Sequence, residues 1–302
     1  MTASRDGHTP ATVRWRRLVR ARLAQTRRLS GDADVGAGFW DLRARRFAKQ
    51  MAGTAAGDPL LTRLRGVVRG GDTVLDVGCG AGRFALALAP ETAKVVAVDP
   101  SPVMLSLLRR QARRDGVDNV ETVTGCWQDV HVEAADVAWC SYVLPLIEDA
   151  GDFLAKLDAS CRRQAFVYLS AFSTDAVFDP FWRHFHGAAR KPAPTYLDAM
   201  AVLDELGVCA GVEVVELPVR SRFTSVAAAA RDYGQNLLLA DTAEVRKELR
   251  SLLAPWLVRT DDGLRPPLQT TPAAILRWKP TGAGRQSLPS PRSARHRAVA
   301  GS

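Results

Sequence analysis

Val74-Leu75-Asp76-Val77-Gly78-Cys79-Gly80-Ala81-Gly82-Arg83-Phe84 runs from apolar residues to an acid and then sets three glycines at every second position. The Ala- and Leu-rich segment from Phe84 to Ala89 follows and predicts a helix. A buried strand, a tight glycine turn and a helix N-terminus together build a nucleotide-type pocket at the carboxyl edge of a parallel sheet. Glycine suits such a turn because the backbone must bend sharply and approach a ligand with no Cβ in the way. The spacing is not that of a dinucleotide fingerprint, because Arg83 rather than a further spaced glycine follows Gly82. No Gly-Lys-Ser/Thr ending is present to make a P-loop. Asp76 would repel a pyrophosphate and suits a ligand with an ammonium group.

A second β run, Val95-Val96-Ala97-Val98, ends at Asp99. A carboxylate at the tip of the second strand can accept hydrogen bonds from both hydroxyls of a ribose. Asp-Val-Gly-Cys-Gly-Ala-Gly over Asp76–Gly82 resembles motif I of the class I S-adenosylmethionine (SAM)-dependent methyltransferases, and Asp99-Pro100-Ser101-Pro102-Val103-Met104 resembles the acidic loop of the same family. The resemblance covers residues 39–280. It implies a doubly wound α/β fold with a seven-stranded, mostly parallel sheet and helical insertions after strand 5 and between strands 6 and 7. It also implies SAM as cofactor. Asp76, Gly78, Cys79, Gly80 and Gly82 would then hold the methionyl end, Asp99 and Pro100 the ribose side, and Met104 the adenine face.

Strand 3 is expected at Val120–Val123, and Gly125-Cys126-Trp127-Gln128-Asp129 follows where members of the family often carry an acid against the adenine amino group. Here Cys126 takes that position. Adenine recognition is expected to move to the backbone around Trp127 or to Gln128 or Asp129, with Trp127 read either as a stacking partner or as core. Strand 4, Asp136–Cys140, ends in Ser141-Tyr142-Val143-Leu144-Pro145 at the switch point where donor and acceptor should meet. An Asn/Asp-Pro-Pro-Tyr/Phe run, the mark of amino-group methylation of adenine or glutamine, is absent, as is a Pro-Cys nucleophile. The tip resembles the small-molecule branch, with Ser141 and Tyr142 as candidates to line the reaction chamber and packing equally open for Tyr142.

After strand 5 (Ala165–Ala171) comes an aromatic-rich stretch carrying His184 and His186. It resembles a substrate cap spanning about 172–210, and a second helical cover is expected over about 220–270. Tyr142, His184 and His186 are the candidate catalytic groups, with a general base needed only for an acceptor that must lose its proton early. A structural role for the histidines stays open. So does packing, rather than lidding the site, for Trp40 and Phe47 of the lead-in helix.

The net charge of +9 is concentrated at the two ends. Residues 1–30 hold eight arginines against Asp6 alone, residues 281–302 hold four arginines and no acid, and residues 31–280 are slightly acidic. No nucleic-acid partner is therefore expected for the body. Residues 11–29 read as a basic amphipathic helix inside a flexible extension (1–35), either solvated or in weak contact with an acidic surface. The tail (281–302) reads as disordered. Five scattered cysteines with no C-x-x-C pair predict neither a disulfide framework nor a metal site, and point to a reducing, cytoplasmic setting. No apolar run reaches 18 residues, and no apolar leader core is visible near Met1.

The activity this implies is methyl transfer from SAM to the oxygen or nitrogen of a small organic acceptor by in-line displacement. Two other readings stay open: an RNA methyltransferase anchored by the basic N-terminus, and a SAM-binding regulatory protein without catalysis.

Overall fold

A computed structural model describes residues 9–30, 53–172 and 177–281. Trp40 and Phe47 lie outside the described residues. Nine strands are described: β1 (Thr73–Val77), β2 (Lys94–Asp99), β3 (Val120–Thr124), β4 (Ala135–Ser141), β5 (Cys161–Ser170), β6 (Gly211–Pro218), β7 (Val258–Thr260), β8 (Gly263–Arg265) and β9 (Thr270–Trp278). Seven form one sheet in the order β3-β2-β1-β4-β5-β9-β6, with β9 antiparallel to both neighbours. The expected doubly wound sheet is therefore present. Chain order reverses between β1 and β4, which places the switch point beside Asp76.

Alternation along the central strands sorts side chains onto two faces. Leu75, Val77, Val96, Val98, Ala138, Cys140, Val167 and Leu169 belong to one buried cluster. Val74, Ala97, Val137, Trp139, Phe166 and Tyr168 belong to the other. Asp76 and Asp99 are in phase with the second set. That face is covered by α2 (Pro59–Arg65), α3 (Ala85–Leu88) and α4 (Pro102–Arg114). The helix expected from Phe84 to Ala89 is only Ala85–Leu88, because the chain tightens to a 3-10 turn over Ala89–Glu91, with Pro90 inside it.

The other face carries α5 (Ala150–Ala159), α7 (Tyr196–Glu205) and α1 (Ala11–Ser30). The expectation of a flexible N-terminal extension is corrected for residues 11–30. Trp15 is fully buried and donates its indole N–H to the Ile147 carbonyl at 2.7 Å, and Val19 is buried beside it. The arginines, which suggested a solvated face, reach acids of the body: Arg14 to Asp198, Arg16 to Asp149 and Arg20 to Glu148.

The insertion after β5 divides. Its second helix, α7, buries Ala199, Val202 and Leu203 in the sheet cluster. Its first, α6 (Asp179–His186), joins α8 (Val226–Asn236), α9 (Ala243–Trp256) and the β7–β8 hairpin around a third core, with Phe181, Trp182, Tyr233, Leu249, Leu253 and Leu264 buried. The hairpin was not foreseen, and Phe223 and Leu264 bind it to the lobe by reciprocal backbone bonds of 2.8 and 2.9 Å. No helix among the described residues is long and apolar enough to cross a membrane.

Candidate active site

The turn from β1 to α3 is held from below. The N–H groups of Gly78 and Cys79 both donate to the Val98 carbonyl, at 2.8 and 3.0 Å. Gly78, Gly80 and Gly82 have φ of +73°, +55° and +86°, a region costly for any residue with a Cβ. Their surroundings differ. A Cβ on Gly78 would lie 2.2 Å from Val143 Cγ2, so the tip of β4 presses on the turn, and one on Gly82 would lie 2.8 Å from Leu108 Cγ of α4. A Cβ on Gly80 would meet nothing within 4 Å. Gly80 is thus the glycine that leaves its space to a ligand.

Asp99 is 8% exposed and takes one backbone N–H on each oxygen, Gly80 at 2.8 Å and Ser101 at 2.9 Å. The bonds fix the carboxylate against the turn, at the tip of β2. Ser101 caps α4 through the Met104 N–H, and Met104 is buried in its first turn. Pro100 is half-buried between them.

Asp76 is 2% exposed. Burial, and then the charge of Asp99, push its carboxyl up to about 8. Among the described residues no cation faces it, and an ammonium ion is the group that would restore ionisation. The same burial drives the Cys79 thiol well above its ordinary value and Cys140 up to about 12, which leaves both protonated and poor nucleophiles. The buried acid, the open Gly80 and the pinned Asp99 fit the methionyl and ribose portions of SAM.

On the adenine side, Cys126 is an exposed free thiol. Trp127 is 4% exposed, donates its indole N–H to the Phe153 carbonyl at 3.2 Å and meets the Phe153 ring edge-on at 6.3 Å. The structure places it in the core, so stacking on a purine is corrected to packing. Lys156, which the sequence reading passed over, donates to the carbonyls of Trp127, Gln128 and Val130 and so holds this turn by its backbone.

At the tip of β4, Ser141 is half-buried opposite Tyr168 of β5. Tyr142 has φ +59° and lies edge-on to Tyr168, with ring centroids 5.0 Å apart. Burial pushes its phenol up to about 12, so near neutral pH it offers a proton rather than accepting one. His184 and His186 are not brought to this edge. They sit on a helix, where alternation puts them on different sides, and both are committed within the outer lobe. His184 Nε2 lies 2.7 Å from Glu248 Oε1, and His186 Nε2 lies 2.6 Å from the Leu237 carbonyl.

Arg83, Asp58 and Tyr168, not singled out as site residues in the sequence, complete the edge. Arg83 reaches back to Asp58, the N-cap of α2, and to the Thr54 carbonyl. Tyr168 is fully buried on the same sheet face. Only Arg83 carried a signal in the sequence, its place directly after the glycine turn.

Residues 74–164 match the family model described as a methyltransferase domain. A Haemophilus influenzae protein of unassigned function is 30% identical over 184 residues, 59% of this chain and 66% of that protein. The mitochondrial ubiquinone biosynthesis O-methyltransferase of Schizosaccharomyces pombe is 32% identical over 106 residues, 34% of this chain and 39% of that protein. The 23S rRNA (uracil(1939)-C(5))-methyltransferase RlmD of Chromohalobacter salexigens is 38% identical over 77 residues, 25% of this chain and 15% of that protein. The chain therefore spans less than two thirds of these curated relatives. In structure it resembles the YcgJ protein of Bacillus subtilis, with a TM-score of 0.51 at 16% identity over 73% of this chain and 95% of that one. The expected domain type and its doubly wound fold are borne out.

Proposed function

We propose that this chain, whose residues 74–164 are a class I SAM-dependent methyltransferase domain, transfers a methyl group from SAM to an oxygen or nitrogen of a small organic acceptor. The observation that carries the reading is one constellation at the carboxyl edge: Asp76 with no cation facing it among the described residues, Gly80 open to a ligand, and Asp99 pinned against the turn through both its oxygens.

Asp76 would take the cofactor's ammonium group and Asp99 its ribose hydroxyls, with Met104 beside the base. When bound, SAM supplies a methyl group already activated by a sulfonium, open to in-line attack. The protein's task is then to bind, align and exclude water. Val143 packs against the turn and Tyr142 precedes it, so the tip of β4 would face the donor's reactive end. With both histidines engaged elsewhere, the acceptor's own lone pair does the attacking and its proton leaves to solvent after transfer, so no side chain at this edge is needed as a strong base.

RlmD relatives raise an RNA acceptor as the second reading. The ion pairs of Arg14, Arg16 and Arg20 with the body speak against it, since those charges are already balanced.

Calorimetric titration with S-adenosylhomocysteine (SAH), with NADH as control ligand, tests the cofactor site. Micromolar SAH binding that is lost in Asp99→Ala, with no binding of NADH, is expected. SAH that fails to bind wild-type protein overturns the reading. SAH release on a panel of small acceptors, set against an rRNA fragment, separates the two acceptor classes.

A further inference from the structure

We propose that Arg83, Tyr142 and Tyr168 form a receptor for a carboxylate carried by the acceptor, beside the methyl-transfer position. The role of that acceptor rests on the methyltransferase reading; the chemistry of the receptor does not.

The three side chains lie together on the face of the sheet that holds Asp76. Arg83 stacks on Phe84 at 4.7 Å, Phe84 meets Tyr168 at 6.4 Å, and Tyr168 meets Tyr142 at 5.0 Å. Their polar atoms are left over. Arg83 spends Nη2 on Asp58 and Thr54, while its Nε–H is buried without a hydrogen-bond partner. The Tyr168 hydroxyl is likewise buried, with the Tyr142 phenol beside it as its acceptor. Two phenols side by side cannot satisfy each other fully, because once one accepts the other's proton its own proton still lacks an acceptor.

Among the described residues, the cluster therefore presents one guanidinium N–H and one phenolic O–H with nothing to receive them. Buried donors left in this state are costly. A carboxylate supplies two oxygens with lone pairs for two donors, and hydrogen bonds to an ionised acceptor are stronger than neutral ones. An ammonium or amine group would add donors where donors are already in surplus. Arg83, with 18% of its side chain exposed, and the half-buried Tyr142 give access from outside. Tyr142 holds its place at a positive φ, a position cheaper for glycine, so a side chain is kept there against a backbone cost. Burial raises both phenols and keeps them as donors. Donors drawn to an oxygen lower its nucleophilicity, so the bound carboxylate is a recognition handle and the methylated atom is another one on the same molecule.

The test titrates the full chain, with and without saturating SAH, with benzoate, benzamide and benzylamine. Benzoate is expected to bind tightest and benzylamine at least about tenfold more weakly. Tyr168→Phe should weaken benzoate about tenfold while leaving the SAH affinity within about twofold. Tyr142→Phe provides a second variant with the same expected loss for benzoate. Benzylamine binding as tightly as benzoate, no benzoate binding by the wild type, or an unchanged benzoate affinity in both variants would overturn the proposal. Failure of the cofactor reading shows separately, as loss of SAH binding in the wild type whatever benzoate does.

Discussion

Asp76 shows how much chemistry rests on one buried side chain. It stands at the end of β1, in register with Ala97 on one side and Trp139 on the other. Burial and the Asp99 charge hold its carboxyl at about 8. The unfolded chain releases this proton near the ordinary carboxylate value of about 4. The folded chain therefore binds one more proton between those values, and Asp76 lowers stability progressively as pH rises from about 4 to about 8. Pairing with an ammonium group needs the ionised form. SAH affinity should thus climb by close to about tenfold per pH unit between pH ~6 and ~7.5 and flatten above about 8. Calorimetry in buffers of different ionisation enthalpy should detect about one proton released at neutral pH. Asp76→Asn should bind weakly with no such slope. A flat profile in the wild type would remove Asp76 as the ammonium partner.

The N-terminal helix is the element whose role composition misstates. Its arginines dominate the sequence, yet Trp15 and Val19 fix its place. Trp15→Ala should cost about 3–5 kcal/mol, because it deletes a fully buried ring and leaves the Ile147 carbonyl without its donor. Arg20→Ala should leave the urea midpoint close to that of the wild type, since its pair with Glu148 is largely in solvent. Urea unfolding of the two variants checks the contrast, and equal small losses would mean that the helix is only loosely attached. The same contrast explains what was legible in the sequence. The strands, the glycine turn and both acids were readable because each is encoded within one short stretch. Arg83, Tyr168 and Lys156 were not, because their roles are relations between distant segments: Arg83 acts through Asp58, Lys156 through the carbonyls after β3, and Tyr168 reads as one more apolar strand residue. His184 and His186 misled for the converse reason. Imidazoles in an aromatic stretch suggest chemistry, but here they tie α6 to α9 and to the Leu237 turn.

At the scale of the whole molecule, α1 braces two cores. Trp15 and Val19 lie in the sheet cluster, while Leu29 packs against the outer lobe. Between them, Gln25 accepts from the Lys191 N–H at 2.7 Å and donates to the Ala189 carbonyl at 3.2 Å, which ties the segment that leaves α6. The lobe has its own apolar centre around Tyr233, with Phe178, Phe181 and Trp256 edge-on to it. A region with a separate core and a few bracing contacts opens as a unit below the global unfolding free energy. Amide exchange of α8 and α9 should therefore run faster than that of β1, β4 and β5, and with one common opening energy. Gln25→Ala removes two hydrogen bonds of the brace and should speed lobe exchange about fivefold, for a net loss of about 1 kcal/mol. Sheet amides should stay within about twofold, because Trp15 still anchors the first half of the helix. SAH should protect the turn at Gly78–Gly82 and leave the lobe unchanged. A variant that speeds sheet and lobe equally would show that the two cores unfold together, and that α1 braces nothing separable.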